Sequence, residues 1–229
     1  MIILRKSHHR GHFDHGWLDT YHTFSFGDYH DPAHMGFSVL RVINEDKISP
    51  NQGFGMHPHR NMEIITYVID GALAHQDSMG NTAIINAGEI QRMSAGTGVH
   101  HAEFNPLPNQ TSHLLQIWIL PNQRGNPPSY DQKKILLTPN ALMLIAAHHA
   151  IPNGVSLNQD VNLYLGKTDK VSKINYSPLS TRKLWLQLIK GTLLINTILM
   201  EPGDGAAITD DEINLETRQP VEFLLFDLP

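Results

Sequence analysis

Cysteine is absent from all 229 residues. Disulfides, thiolate nucleophiles, iron–sulfur clusters and cysteine-bound zinc are thereby excluded, and any metal must rest on nitrogen and oxygen donors. No block of lysine or arginine occurs, and a net charge of −5 leaves no electrostatic footprint for nucleic acid. No run approaches the ~20 apolar residues of a membrane helix. The opening MIILRKSHHRGH puts its charges after a very short apolar run, the reverse of a secretion signal, so a cytoplasmic location is expected. Helical periodicity is also scarce. Histidine is the opposite case: there are 15, and none lies beyond His149, which assigns any chemistry to the first half.

The 41% apolar content is that of a globular chain, long enough for one large domain or two of roughly 110 residues. Short β-rich runs recur at 37–43, 63–69, 113–120, 142–147, 161–166, 184–191 and 221–228, punctuated by turn signals such as DSMGN (77–81) and EPGDG (201–205). Many short strands of this kind predict an all-β sandwich or barrel. A faint repeat accompanies them: YVIDGAL (67–73) parallels LIKGTLL (188–194), NAGE (86–89) parallels EPGD (201–204), and LLQIWILP (114–121) parallels EFLLFDLP (222–229). Three pairs in order indicate a duplicated fold. The expected division is 1–125 and 135–229, with the polar stretch 121–134 as linker. On these offsets Ser177 and Leu179 stand where the first copy has His57 and His59, and Glu216 stands in place of His101. The second copy is therefore expected to be metal-free and to serve as a structural cover.

His57 and His59 in MHPHRNME, and His101 and Glu103 in GVHHAEFN, are two pairs with one residue between. Successive strand residues face opposite ways, so the members of each pair share a face. On neighbouring antiparallel strands roughly 5 Å apart, the two pairs would bring three imidazoles and a carboxylate to one point, a ligand set for a divalent transition metal. Glu63 is the competing carboxylate. It would need Arg60–Met62 to turn the chain back, whereas Glu103 needs no turn. Otherwise Glu63 is a surface residue or a neighbour of the ligands. His100 should point away, and Asn105 should share the ligand face and support the site. His75 and His113 belong to other strands and read as core or surface histidines.

The blocks GHFDHGWLDTYHTFSFGDYHDPAHMGFSVLRVIN (11–44), HPHRNMEIITYVIDG (57–71) and GEIQRMSAGTGVHHAEFN (88–105), with the ending VEFLLFDLP (221–229), resemble the pirin family of the cupin superfamily, and within it bacterial pirin-like quercetin 2,3-dioxygenases. The resemblance covers most of the chain. It implies a bicupin, two β-barrel (jelly-roll type) domains face to face, with metal in the first only. It places the ligands at His57, His59, His101 and Glu103, although the general cupin pattern would draw its carboxylate from Glu63. The implied ion is iron(II), with zinc, nickel, copper, manganese or cobalt able to use the same donors. The implied reaction is ring opening of a flavonol such as quercetin by dioxygen with release of carbon monoxide; Glu103 is expected to take the proton of the 3-hydroxyl if it swings off the metal. A monomer is expected. The alternative is a metal-binding redox sensor or transcriptional co-regulator, which in an acidic chain would need a protein partner. Ligand histidines must stay unprotonated, so metal release is expected below roughly pH 5–6.

Overall fold

A computed structural model describes residues 1–209 and 212–229. Among the described residues there is no α-helix, only strands and the short 3-10 turn Ser7–His9. The strands form two sandwiches, each a seven-stranded sheet against a four-stranded one, which is the bicupin fold. In the first half the large sheet runs Ser129–Lys134, Glu89–Ser94, Glu63–Asp70, Ser112–Ile119, Leu40–Ile48, Leu18–His22, Gly11–Asp14. The small one runs Gly53–His59, Val99–Phe104, Ala72–Asp77, Thr82–Asn86. The second half repeats this order. Its large sheet is Ile2–Arg5, Gly205–Ile208, Lys183–Lys190, Val221–Leu228, Asn162–Thr168, Ala141–Ala147, Val155–Ser156, and its small one Ser172–Tyr176, Ile213–Thr217, Leu193–Ile195, Ile198–Met200.

The repeat shows in the backbone. Gly71 and Gly191 hold φ at 78° and 79°, and Gly88 and Gly203 at 80° and 83°. These left-handed turns favour glycine because it lacks a Cβ. Two strands cross the division between halves. Ile2–Arg5 precedes the first half yet pairs with Gly205–Ile208 of the second. Ser129–Lys134, inside the stretch expected to be linker, pairs with Glu89–Ser94 of the first. The two sheet pairs thus exchange edge strands reciprocally.

Alternation along the large sheets sorts the side chains. Ile43, Ile65, Tyr67, Leu115 and Ile117 join Leu163, Trp185, Leu224 and Phe226 in one buried cluster, so the large sheets pack face to face. The Tyr67 hydroxyl donates to Glu222 Oε1 (2.7 Å) across this interface. The opposite faces look into the two sandwiches, and here the halves diverge. The second interior is filled by Leu184, Leu186, Leu188, Leu215, Phe223 and Leu225. The first holds an aliphatic layer of Ile48, Val68, Leu73, Ile85 and Leu114 beside buried polar residues that include Asn44, Asp46, Thr66 and Gln116. One sandwich is a packed core, while the other is built around polar groups that need partners.

Candidate metal centre

The strands Gly53–His59 and Val99–Phe104 pair antiparallel with His101 opposite His57 and Val99 opposite His59. A bulge then intervenes, because Glu103 faces Phe54 where regular pairing would give residue 55. The backbones crowd at this point: a Cβ on Gly53 would lie 2.2 Å from the Glu103 carbonyl oxygen. The bulge also sets the carbonyl of Gly55 2.7 Å from His57 Nδ1. Nδ1–H donates there, which leaves the Nε2 lone pair free.

Donor atoms of His57, His59 and His101 all lie within 4.8 Å of one another, with ring centroids 4.4–4.8 Å apart. Glu103 groups with His101 and His75 under the same limit. His101 is common to both sets. Both of its ring nitrogens are buried without a hydrogen-bond partner, as is Glu103 Oε1. Each such atom costs about 1–3 kcal/mol if nothing satisfies it. The other Glu103 oxygen accepts from Gln116 Nε2 at 2.5 Å. Three imidazoles with free lone pairs and a buried carboxylate are what a divalent cation requires, and the residues present fit one.

Electrostatics agree with this. Burial, then the neighbouring His57, His59 and His75, hold His101 down to about 2. Burial and His57 hold His59 at about 4. These imidazoles stay neutral and available as ligands at ordinary pH. Burial pushes the Glu103 carboxyl up to about 7, with the Gln116 hydrogen bond opposing the rise and the Asp46 charge adding to it.

His100 is exposed, as alternation requires. Asn105 is fully buried but serves the following loop: Nδ2 donates to the Ile48 and Gln110 carbonyls, and Oδ1 accepts from the Leu107 amide. His113 is partly buried against Glu45 (3.0 Å). Glu63 is not at the surface. It shares the face of Ile65 and Tyr67, which looks toward the second half, and its carboxylate accepts from Ser94 Oγ (2.8 Å) and from the amide and side chain of Asn158 (3.1 and 3.2 Å). Glu63→Ala is therefore expected to leave metal content unchanged while lowering unfolding free energy by about 3 kcal/mol, since it strands these donors. Urea melts paired with metal analysis check this, and parallel loss of metal would return Glu63 to the ligand set.

His75, with no local signal in the sequence, joins the inner face. It follows Leu73 in an inward-facing alternation, lies opposite Glu103, and is held by Asp77 Oδ2 at 3.1 Å, with Nδ1 buried and unpartnered. The repeat offsets also need correcting. Leu215 faces Ile195 in the second half as Glu103 faces His75 in the first, so Leu215, not Glu216, continues the ligand strand's inner face. Glu216 pairs instead with Lys173 at the surface.

A cavity of about 240 Å³ opens onto His57, His59 and Glu103. Its apolar walls are Phe26, Phe54, Trp118 and Leu18, and its polar side is Thr20, His22, Asn44 and Asp46. A second hollow of about 330 Å³ shares five of these residues and leads past Phe13, His15 and Trp17. Together they are of the size and character of small-molecule sites.

Comparison with known proteins matches residues 3–119 to the family model described as Pirin and residues 144–228 to that of the quercetinase C-terminal cupin domain. A protein of Escherichia coli K12 named quercetin 2,3-dioxygenase is 46% identical over 230 residues, covering 100% of this chain and 99% of its own. A pirin-like protein of Caulobacter vibrioides is 38% identical, covering 99% of each. The crystal structure of the bacterial pirin YhhW from Escherichia coli in complex with nickel(II) superposes with a TM-score of 0.96 at 45% identity, covering 100% of this chain and 99% of that one. Matched in both halves and along its full length, the chain belongs to the pirin family of the cupin superfamily.

Proposed function

We propose that the chain is a metal-dependent dioxygenase that opens flavonols such as quercetin, with one divalent metal, iron(II) in the first instance, held by His57, His59, His101 and Glu103. The observation that carries this reading is His101, whose two ring nitrogens are buried and unpartnered between His57 and His59, beside a cavity walled by aromatic rings. The whole-length likeness to a protein named quercetin 2,3-dioxygenase supports it.

The bound ion supplies Lewis acidity toward a phenolate and, when redox-active, an electron partner for dioxygen. The remaining work falls to the chain. Phe26, Phe54 and Trp118 offer faces and edges for a planar polyphenol and exclude water from it. Glu103 takes the proton of the reacting 3-hydroxyl through Oε1 when that oxygen swings off the ion. Gln116 holds the other oxygen, so the carboxylate presents one defined atom to the substrate. Both atoms of dioxygen enter the products as the ring opens and one carbon leaves as carbon monoxide.

The test is aerobic incubation of quercetin with protein loaded in turn with iron, nickel, manganese, cobalt, copper and zinc, following the visible absorbance and carbon monoxide. Turnover by at least one form is expected. Tight metal binding without turnover, together with a partner bound in only one oxidation state, would favour the regulatory alternative.

A further inference from the structure

The interior of the first sandwich is crossed by an unbroken row of polar side chains. His22 lies opposite Asn44, Asn44 opposite Gln116, Gln116 opposite Thr66, and Thr66 opposite Gln91, each on the next strand of the large sheet. All five are buried. The corresponding row of the second half is Leu144, Tyr164, Leu225, Leu186 and Ala206, so this fold closes well with mainly apolar residues on that line.

The polar row is incompletely satisfied. His22 Nδ1, Asn44 Oδ1, Thr66 Oγ1 and Gln91 Oε1 are buried and take no hydrogen bond. One step along the sheet, Asp46 lies opposite Thr20, whose hydroxyl donates to Asp46 Oδ1 at 2.5 Å, the one side-chain hydrogen bond that Asp46 accepts among the described residues. Buried polar atoms nearly always find partners, so a cluster of bare ones marks a place where water or a ligand supplies them. His22, Asn44 and Asp46 line the same cavity as His57, His59 and Glu103.

What this corner leaves over is polar atoms without partners. Asp46 offers a carboxylate oxygen, and Asn44 a carboxamide whose oxygen and NH2 are both unbonded. Burial lowers His22 to about 4, so its ring is neutral, and its Nδ1 is buried without a partner. A ligand that completes the corner must bring O–H or N–H donors. Phenolic hydroxyls qualify, whereas ether oxygens and bare aryl edges do not.

We infer that His22, Asn44 and Asp46 form a hydroxyl-reading corner that selects flavonols carrying free phenolic hydroxyls beyond the one that reacts. This deepens, and rests on, the flavonol reading of the site. A corner built to accept hydrogen bonds discriminates strongly against a ligand that lacks them, because its own buried atoms then stay unpaired.

Equilibrium binding under dinitrogen, read by quenching of tryptophan fluorescence, compares quercetin with 3-hydroxyflavone, which keeps the reacting hydroxyl alone. Quercetin is expected to bind at least ~10-fold more tightly, the worth of one hydrogen bond to a buried charge. Asp46→Asn and Asn44→Leu, each checked for a cooperative thermal transition, should each reduce that preference to within about threefold. Equal dissociation constants for the two flavonols in the unsubstituted protein overturn the proposal, and so does a preference that survives in either folded variant. Dioxygen is absent from this measurement. A failure of turnover in the aerobic assay therefore bears on the dioxygenase reading alone, and indifference to hydroxyls bears on the corner alone.

Discussion

Replacing Glu103 by alanine is expected to lower kcat/KM for quercetin by ~10³-fold or more and to weaken metal retention by at least ~10-fold. Two roles end at once. The variant has no group to receive the 3-hydroxyl proton, and the cation loses its only carboxylate donor, so three neutral imidazoles must carry the full charge. Glu103→Gln separates the roles. Its carbonyl oxygen remains a donor to the ion but cannot take a proton, so kcat should fall with metal content largely kept. Single-turnover kinetics alongside metal analysis distinguish the cases. Full activity in either variant would remove Glu103 from the chemistry and direct attention to His75, the other inward-facing group opposite it.

Loading the metal-free protein with a divalent ion at pH 7.5 is expected to raise Tm by about 5–10 °C when the ion is at ~100 times its Kd. The effect should vanish in His101→Ala. Its pH dependence follows from two opposed groups. Burial depresses His101 to about 2, so below about pH 6.5 the unfolded chain takes up a proton that the folded one refuses. Stability then falls by up to about 1.4 kcal/mol per pH unit. Burial raises Glu103 to about 7, so that group contributes stability fully below about pH 4.5 and loses it as pH rises through 7. At pH 7.5 the metal-free protein thus holds a buried carboxylate charge without a counter-ion, and a cation relieves it. Below 7 the Glu103 proton competes with the ion, at most tenfold in affinity per unit, whereas His59 adds its competition only below about 4. The weakening of metal binding should begin nearer neutrality than the roughly pH 5–6 that free imidazoles imply. Calorimetric scans from pH 5 to 8, with and without ion, check the trend, and a metal-induced shift that grows toward acid would contradict it.

Much of this centre was legible before the fold. Spacing of two puts His57 with His59, and His101 with Glu103, on shared strand faces, and the structure pairs His57 directly with His101. The strand runs were equally plain, with runs at 63–69, 142–147 and 221–228 emerging as Glu63–Asp70, Ala141–Ala147 and Val221–Leu228. What stayed hidden depends on long-range register. His75 reaches Glu103 only because Ala72–Asp77 pairs with Val99–Phe104, and no local pattern announces that neighbour. Glu63 could have been placed by parity, since it shares its face with Ile65 and Tyr67, but nothing local says that this face meets Asn158 of the other half. The polar row escaped for the same reason. His22, Asn44, Thr66, Gln91 and Gln116 are unremarkable singly and become a line only when five strands are aligned.

The reciprocal placement of Ile2–Arg5 and Ser129–Lys134 has a consequence for the molecule's ancestry and its engineering. Each lobe borrows its outermost strand from the segment that leads into the other, the embrace that two identical single-lobed chains would make by trading their leading arms. Joined in tandem, such a pair keeps its clasp while its members become free to diverge, one retaining a reactive hollow and the other solidifying into ballast. Severed near residue 126, neither fragment would carry its own border strand, and each would present a raw flank until it met its counterpart.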